Sequence, residues 1–400
     1  MTAIPQTYPL IEHHLNAYKD ELQKYTSTKS LLKSALFKSL KDQILLVVNG
    51  MEADQFSLRV PYERKKFYRF VTWNIERGIN FNDVVHVFKT HPDLSRADVI
   101  YLVETDIGMA RTRNVNIARE LARELKMNYF FATSYLNLCK GNLAEGHYEG
   151  ENELGLHGNA ILSRYPLHNL RTQPLKNAID KMRGKEKRLG CQKALVCEIE
   201  FPFRKVTGVA AHLDAHSSQR QRAAQLKSIL SFLAEGRHPL VLGGDLNTSS
   251  YNARHALFAF FGFWNKVFRG VDHVIANHYP YPDRYFDRFL FKVFKDYGFD
   301  YEHFNEIGQG TLHYSIEDIK QNHLVREVVP EWCRRVMEET LKRHGGKCSL
   351  KLDWFAGKWV KPAHSDLGAL SPKVYHNLVC KNGTPISDHD PILVDIDIYS

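Results

Sequence analysis

Leu240-Val-Leu-Gly-Gly-Asp-Leu-Asn247 decides the fold. Three apolar residues read as a short strand. Two small residues follow, and Asp245 and Asn247 then fall on one side of an extended chain, because strand side chains alternate with period two. The same pattern recurs on either side. Val71-Thr-Trp-Asn74-Ile-Glu76 puts Asn74 and Glu76 on one side, and Val99-Ile-Tyr-Leu-Val-Glu104 ends an apolar run in a carboxylate. Val209-Ala-Ala-His212-Leu-Asp214 ends one in a histidine, and Leu352-Asp353-Trp354 and Ile386-Ser-Asp388-His389-Asp-Pro391 complete the series. Taken singly, an acid after a strand is a turn former or a helix cap. A lone histidine is most simply a satisfied core or surface residue. The six stretches in this order are not what chance supplies.

Further apolar runs predict strands at Phe67–Trp73, Val99–Val103, Ala160–Leu162, Ala194–Phe201, Val206–His212, Leu240–Leu242, Lys351–Phe355 and Ile392–Ile398. Asn114–Lys126, Ser218–Leu233 and Glu331–His344 read as helices. Residues 9–48 read as helical, with Leu32, Leu36, Leu40 and Ile44 every fourth position, Gly50 as a stop, and Lys29, Lys33, Lys38 and Lys41 alongside. Residues 137–157 read as a polar loop. Many strands with few intervening helices point to packed sheets flanked by helices rather than a doubly wound parallel sheet. Residues 250–348 hold much of the aromatic content, which reads as core rather than a base-stacking platform.

Composition narrows the function classes. Apolar residues make up 44% and charged residues 25%, which excludes a wholly disordered chain. No apolar run is long enough for a transmembrane helix, and no basic-then-apolar leader opens the chain, so a cytoplasmic location is expected. The six cysteines form no C-x-x-C pair, which argues for free thiols and against a cysteine zinc site. No P-loop appears. The net charge of +9 fits an anionic partner such as nucleic acid, a phosphorylated metabolite or anionic lipid, and equally a soluble protein with a Lys-rich surface.

The order Asn74/Glu76, Glu104, His212, Asp245/Asn247, Asp353, Asp388/His389 resembles the endonuclease/exonuclease/phosphatase superfamily, as do Gly158-Asn-Ala-Ile-Leu-Ser-Arg164 and Arg222/Gln225. That superfamily includes deoxyribonucleases, apurinic endonucleases, neutral sphingomyelinases and inositol polyphosphate 5-phosphatases. The resemblance implies an α+β fold, a four-layer α/β/β/α sandwich of two mainly antiparallel sheets. The catalytic domain would span residues 66–400, with an aromatic-rich insertion at about 250–348 and a helical extension over 1–65.

It also implies roles. Glu104 is the main Mg²⁺ ligand, with Glu76 and Asp388 as further carboxylates and Mn²⁺ as a substitute ion. Asp245 positions or deprotonates the attacking water, while Asn74 and Asn247 bond phosphate oxygens or orient Asp245. His389, held by Asp353, bonds a non-bridging oxygen, and His212 is the general acid. Arg188, Lys187 and Lys185 form a basic loop that reads as a weaker substrate contact or a solvated charge run. The expected activity is metal-dependent phosphodiester hydrolysis by in-line water attack, with nucleic acid the favoured substrate and partner. Two alternatives stand beside it: a lipid or small-molecule phosphoesterase, and an inactive nucleic-acid or lipid binding module. No protein partner is implied.

Overall fold

The computed structural model describes residues 7–57, 63–141, 148–184, 186–236, 238–248, 268–315 and 331–400. Its strands, in chain order, are β1 (Met51–Asp54), β2 (Tyr68–Arg77), β3 (Val99–Ile107), β4 (Asn128–Asn137), β5 (Leu156–Ser163), β6 (Leu167–Pro174), β7 (Arg188–Gly190) and β8 (Lys193–Phe201). They continue with β9 (Arg204–His212), β10 (Leu240–Asp245), β11 (Leu312–Ser315), β12 (Lys347–Leu350), β13 (Asp353–Lys358), β14 (Lys361–Pro362), β15 (Lys373–Val374) and β16 (Ile392–Asp397). One nine-stranded sheet runs β1-β4-β5-β3-β2-β16-β14, with β15 on β16 and β7 on β4. A five-stranded sheet runs β13-β10-β9-β8-β6, and β11 pairs with β12 alone. Only β2/β3 and β9/β10 pair in parallel among the described strands. Both large sheets are therefore mainly antiparallel.

Alternation within each strand builds the layers. Phe70, Tyr101, Phe130, Ile161, Val241 and Phe355 point into the space between the sheets and pack with Leu195, Ile199 and Val206. Their neighbours Val71, Leu102, Phe131 and Leu162 point outward, onto helices. On the other sheet, Leu242 and Trp354 do the same. The first sheet is covered by α1 (Ala35–Val48), α2 (Phe81–Thr90) and α3 (Ile117–Leu125), and the second by α4 (Gln219–Phe232) and α5 (Arg288–Asp296). Helix, sheet, sheet and helix give the four-layer α+β sandwich.

The helical reading of residues 9–48 needs one correction. The segment is broken, because Ser27 and Ser34 cap new helices by accepting from the backbone N–H of Ser30 and Phe37. Each restart resets the phase, so Leu32 is exposed and the buried stripe of α1 is Phe37, Leu40, Ile44 and Val47. These side chains share a core cluster with the first sheet, and β1 pairs with β4 at that sheet's edge.

Residues 288–301 of the 250–348 segment pack on the second sheet, while Ile275, Leu341 and Cys348 form a small cluster of their own. Phe291, Phe294 and Tyr301 join Trp354 in its outer core, so these aromatics are core residues. Arg222 on α4 makes paired hydrogen bonds to Asp287, both fully buried, which ties the helix to this segment. Cys139, Cys191, Cys197, Cys348 and Cys380 form no disulfide. No described helix is long and apolar enough to cross a membrane.

Candidate active site

The topology explains why the polar residues meet. Strands β2, β3, β9 and β10 carry Asn74, Glu104, His212 and Asp245 at or near their C-terminal ends. Strands β13 and β16 run antiparallel to β10 and β2, so their first residues return to the same rim. Asp245 lies directly opposite His212 on one side and Asp353 on the other.

Backbone irregularity aims several of these side chains. The β2/β3 ladder slips between Asn74 and Arg77, and the β3/β5 ladder slips between Leu102 and Thr105. Glu76, Arg77, Glu104 and Asn247 all take left-handed backbone, with φ of 46°, 68°, 55° and 50°. Each such residue costs on the order of 1–2 kcal/mol, a strain that persists where its surroundings over-determine it.

The hydrogen bonds centre on Asp245. Asn74 Nδ2 donates to its Oδ2 at 3.2 Å, and the backbone N–H of Asn247 donates to its Oδ1 at 2.8 Å. His212 Nε2 lies 3.6 Å and His389 Nε2 3.9 Å from the same Oδ2. His389 Nδ1 donates to Asp353 Oδ2 at 2.7 Å, and Trp73 Nε1 donates to the His389 carbonyl at 2.8 Å. Glu104 Oε1 is 3.9 Å from His212 Nε2, and its Oε2 is 4.0 Å from Arg77 Nε. Ser387 Oγ donates to the Asn74 carbonyl at 2.7 Å, locking the loop that bears Asp388 to β2. Asn74, Glu104, His212, Asp245, Asn247, Asp353 and His389 therefore occupy one rim. The Asn247 amide is engaged elsewhere, donating to Leu213 O at 2.9 Å.

The electrostatics divide this rim. Burial alone would push His389 down, but Asp353, Asp388 and Asp245 outweigh it and hold the imidazole well above its ordinary value. Burial, reinforced by Asp353 and opposed by His389 and His212, pushes Asp245 up to about 6. Burial would raise Glu104 too, yet Arg77, His212, His157 and His389 hold its carboxyl well below the usual range. Glu76 is pushed up to about 7 by burial first and then by Asp388, with Glu104 adding and Arg77 opposing. Asp388 is raised by burial, against the pull of His389, and further by Glu104.

Carboxylates that repel one another in this way fit a hard divalent cation, which takes oxygen ligands and neutralises them together. Glu104, Glu76 and Asp388 are the residues that could hold one. Asp245, Asp353 and His389 also each bring a donor atom within 4.8 Å of the others.

A cavity of about 320 Å³ opens beside Glu104 and His212, and its lining includes Arg188, Lys181 and His216. Arg188 thus reaches the site, paired with Glu186. Lys187 does not, because its ammonium is bonded to the carbonyls of Gln23 and Tyr25. Lys185 lies outside the described residues. Two residues missed in the sequence belong here. Arg77, next to Glu76, sits against Glu104. Gln192 Nε2 stands 3.2 Å from His212 Nδ1, a contact that no local pattern signals. Asp106 and His157 bond to each other at 2.9 Å, and Arg111 grips Asp106 from the other side.

A family model described as "Endonuclease/Exonuclease/phosphatase family" matches residues 71–293. The chain is 30% identical over 135 residues to the uncharacterized protein YbhP of Escherichia coli, covering 33% of this chain and 46% of that one. The chain thus spans about half the length of the curated relatives it matches, at 46% of each. Among solved structures, an endonuclease/exonuclease/phosphatase from Beutenbergia cavernae is similar at TM-score 0.47 and 17% identity, over 83% of this chain and 72% of that one. An AP endonuclease from Archaeoglobus fulgidus is similar at TM-score 0.42 and 12% identity, over 82% and 98%.

Proposed function

The chain belongs to the endonuclease/exonuclease/phosphatase family of phosphoester hydrolases, and on that premise we propose that it is a Mg²⁺-dependent phosphodiesterase acting on nucleic acid. The observation that carries the reading is the single rim on which Asn74, His212 and His389 meet around one oxygen of Asp245, with Asp353 behind His389 and Glu104 beside His212.

Asp245 takes the proton of the attacking water. Both its oxygens are held, one by Asn74 and one by the Asn247 backbone, so the hydrogen bonds favour an orienting role for these asparagines. Asp353 keeps His389 charged, with Nε2 turned toward the rim, where it donates to a non-bridging phosphate oxygen. His212 presents its Nε2 beside Glu104 and Asp245 and serves the leaving oxygen. Glu104, with Glu76 and Asp388, would hold Mg²⁺, which would supply positive charge against the phosphate. The +9 charge supports nucleic acid as the substrate class through contacts to its backbone.

A second reading, a lipid phosphoesterase, has its own support. Leu32, Leu45 and Leu46 are exposed close in sequence to Lys29, Lys33, Lys38 and Lys41, a surface suited to anionic bilayers.

A panel of DNA, RNA, sphingomyelin, inositol phosphates and a generic diester, each with Mg²⁺ or Mn²⁺, tests both. Hydrolysis of DNA or RNA is expected, with EDTA, Asp245→Ala and His389→Ala each lowering it by about 100-fold or more. Activity that survives all three overturns the site. Turnover of lipid alone selects the second reading, and no turnover of any substrate leaves a binding module.

A further inference from the structure

A second group of metal-ligating side chains stands apart from the rim around Asp245. His313 comes from β11, His376 from the segment after β15, and Asp390 from the position after His389. His313 Nε2 donates to Asp390 Oδ2 at 2.7 Å, and His376 Nδ1 donates to the same oxygen at 2.5 Å. The two rings meet edge to face with centroids 5.4 Å apart. The backbone holds all three in place. Leu312 bridges to His389, and the Asp390 N–H donates to Thr311 O at 2.7 Å. All three residues line a cavity of about 650 Å³ that also reaches Lys347 and Asp388.

We propose that His313, His376 and Asp390 form a site for a divalent transition ion of the zinc class, separate from the Mg²⁺ ligands of the rim. One donor atom from each residue lies within 4.8 Å of the other two. Two imidazole nitrogens and one carboxylate oxygen are the donor set of centres that keep coordination positions open. Here those positions face the cavity. Imidazole suits zinc, cobalt and iron(II), whereas Mg²⁺ takes oxygen donors and keeps most of its waters. Two ring N–H groups converge on one oxygen of Asp390. An ion replaces those two protons using the same three atoms. Ser349 Oγ lies 2.7 Å from His313 Nδ1, the far side of that ring, and fixes its orientation as an outer partner of a metal-bound histidine does.

The test is equilibrium dialysis of the full chain against Co²⁺, whose visible absorption reports nitrogen ligation. Wild type, Glu104→Gln, His376→Ala and His313→Ala are compared. Wild type and Glu104→Gln are both expected to show a nitrogen-ligated band that saturates at about one equivalent, beside any Co²⁺ that the rim carboxylates of wild type take up. Each histidine variant is expected to lose that equivalent and that band. Stoichiometric Zn²⁺ should displace the Co²⁺ of that band, and a large excess of Mg²⁺ should not. His376 is exposed, so its replacement leaves the fold intact, and that variant decides the matter if His313→Ala fails to fold. The same stoichiometry and band in His376→Ala, no such band in wild type, or displacement by Mg²⁺ would each overturn the proposal. Loss of the band in Glu104→Gln alone would overturn it too, by assigning the ion to the rim.

Discussion

Asp353 and His389 form a close hydrogen-bonded pair at the rim, 2.7 Å apart and both buried. Asp353 does more than any other neighbour to raise the imidazole, so Asp353→Asn should let His389 lose its proton at lower pH. In the proposed mechanism His389 acts as a cation, so activity is present below its pKa and lost above it. Asp353→Asn should therefore move the alkaline limb of kcat/KM to lower pH and lower the plateau by roughly 100-fold or more. A pH–rate profile checks it, and an unmoved limb would separate His389 from the reaction. At this scale the sequence was informative. Every acid, amide or histidine that ends an apolar run was visible as a change of residue type. The partners were not. Gln192 reaches His212 across a sheet, and the φ of 55° at Glu104 has no signature in residue identity.

At the scale of elements, β9 and β10 approach so closely that Gly244 has no room for a side chain. A Cβ there would fall 1.9 Å from Ala211 O, at a φ of +145°. Gly244→Ala should destabilise the protein by about 3 kcal/mol or more, and displace Asp245 with it. Gly345, at φ +71° with nothing within 4 Å, is the control, with an expected cost of about 1–2 kcal/mol from backbone strain alone. Urea denaturation of the two variants separates steric from conformational cost. The strands read from apolar runs lie where the structure has them, but β1, β4, β6, β7, β11, β12, β14 and β15 were not read. β1 is only four residues long, and β4 is buried at every position, so it shows no alternation. The break in the helices before β1 follows from serine caps that compete with a leucine repeat.

For the whole molecule, a net charge of +9 and a rim suited to phosphate predict strongly salt-dependent binding to nucleic acid. Between about 50 and 200 mM salt, affinity for an uncleaved DNA analogue should fall by roughly 1,000-fold if six or more phosphates are contacted. Fluorescence anisotropy across a salt series measures the slope, and a flat response would count against a polyanionic substrate. By itself the sequence determined the groups available for chemistry, the apolar runs that carry them and the sign of the charge. These are local properties, set by residue type and by period two. Only the tertiary structure decided that two sheets bring the ends of four strands and the starts of two others to one rim. It alone placed Lys187 away from that rim and set His313 and His376 on one oxygen of Asp390. Such contacts depend on register and packing between distant segments, and periodicity along the chain says which face a residue takes but not what it meets there.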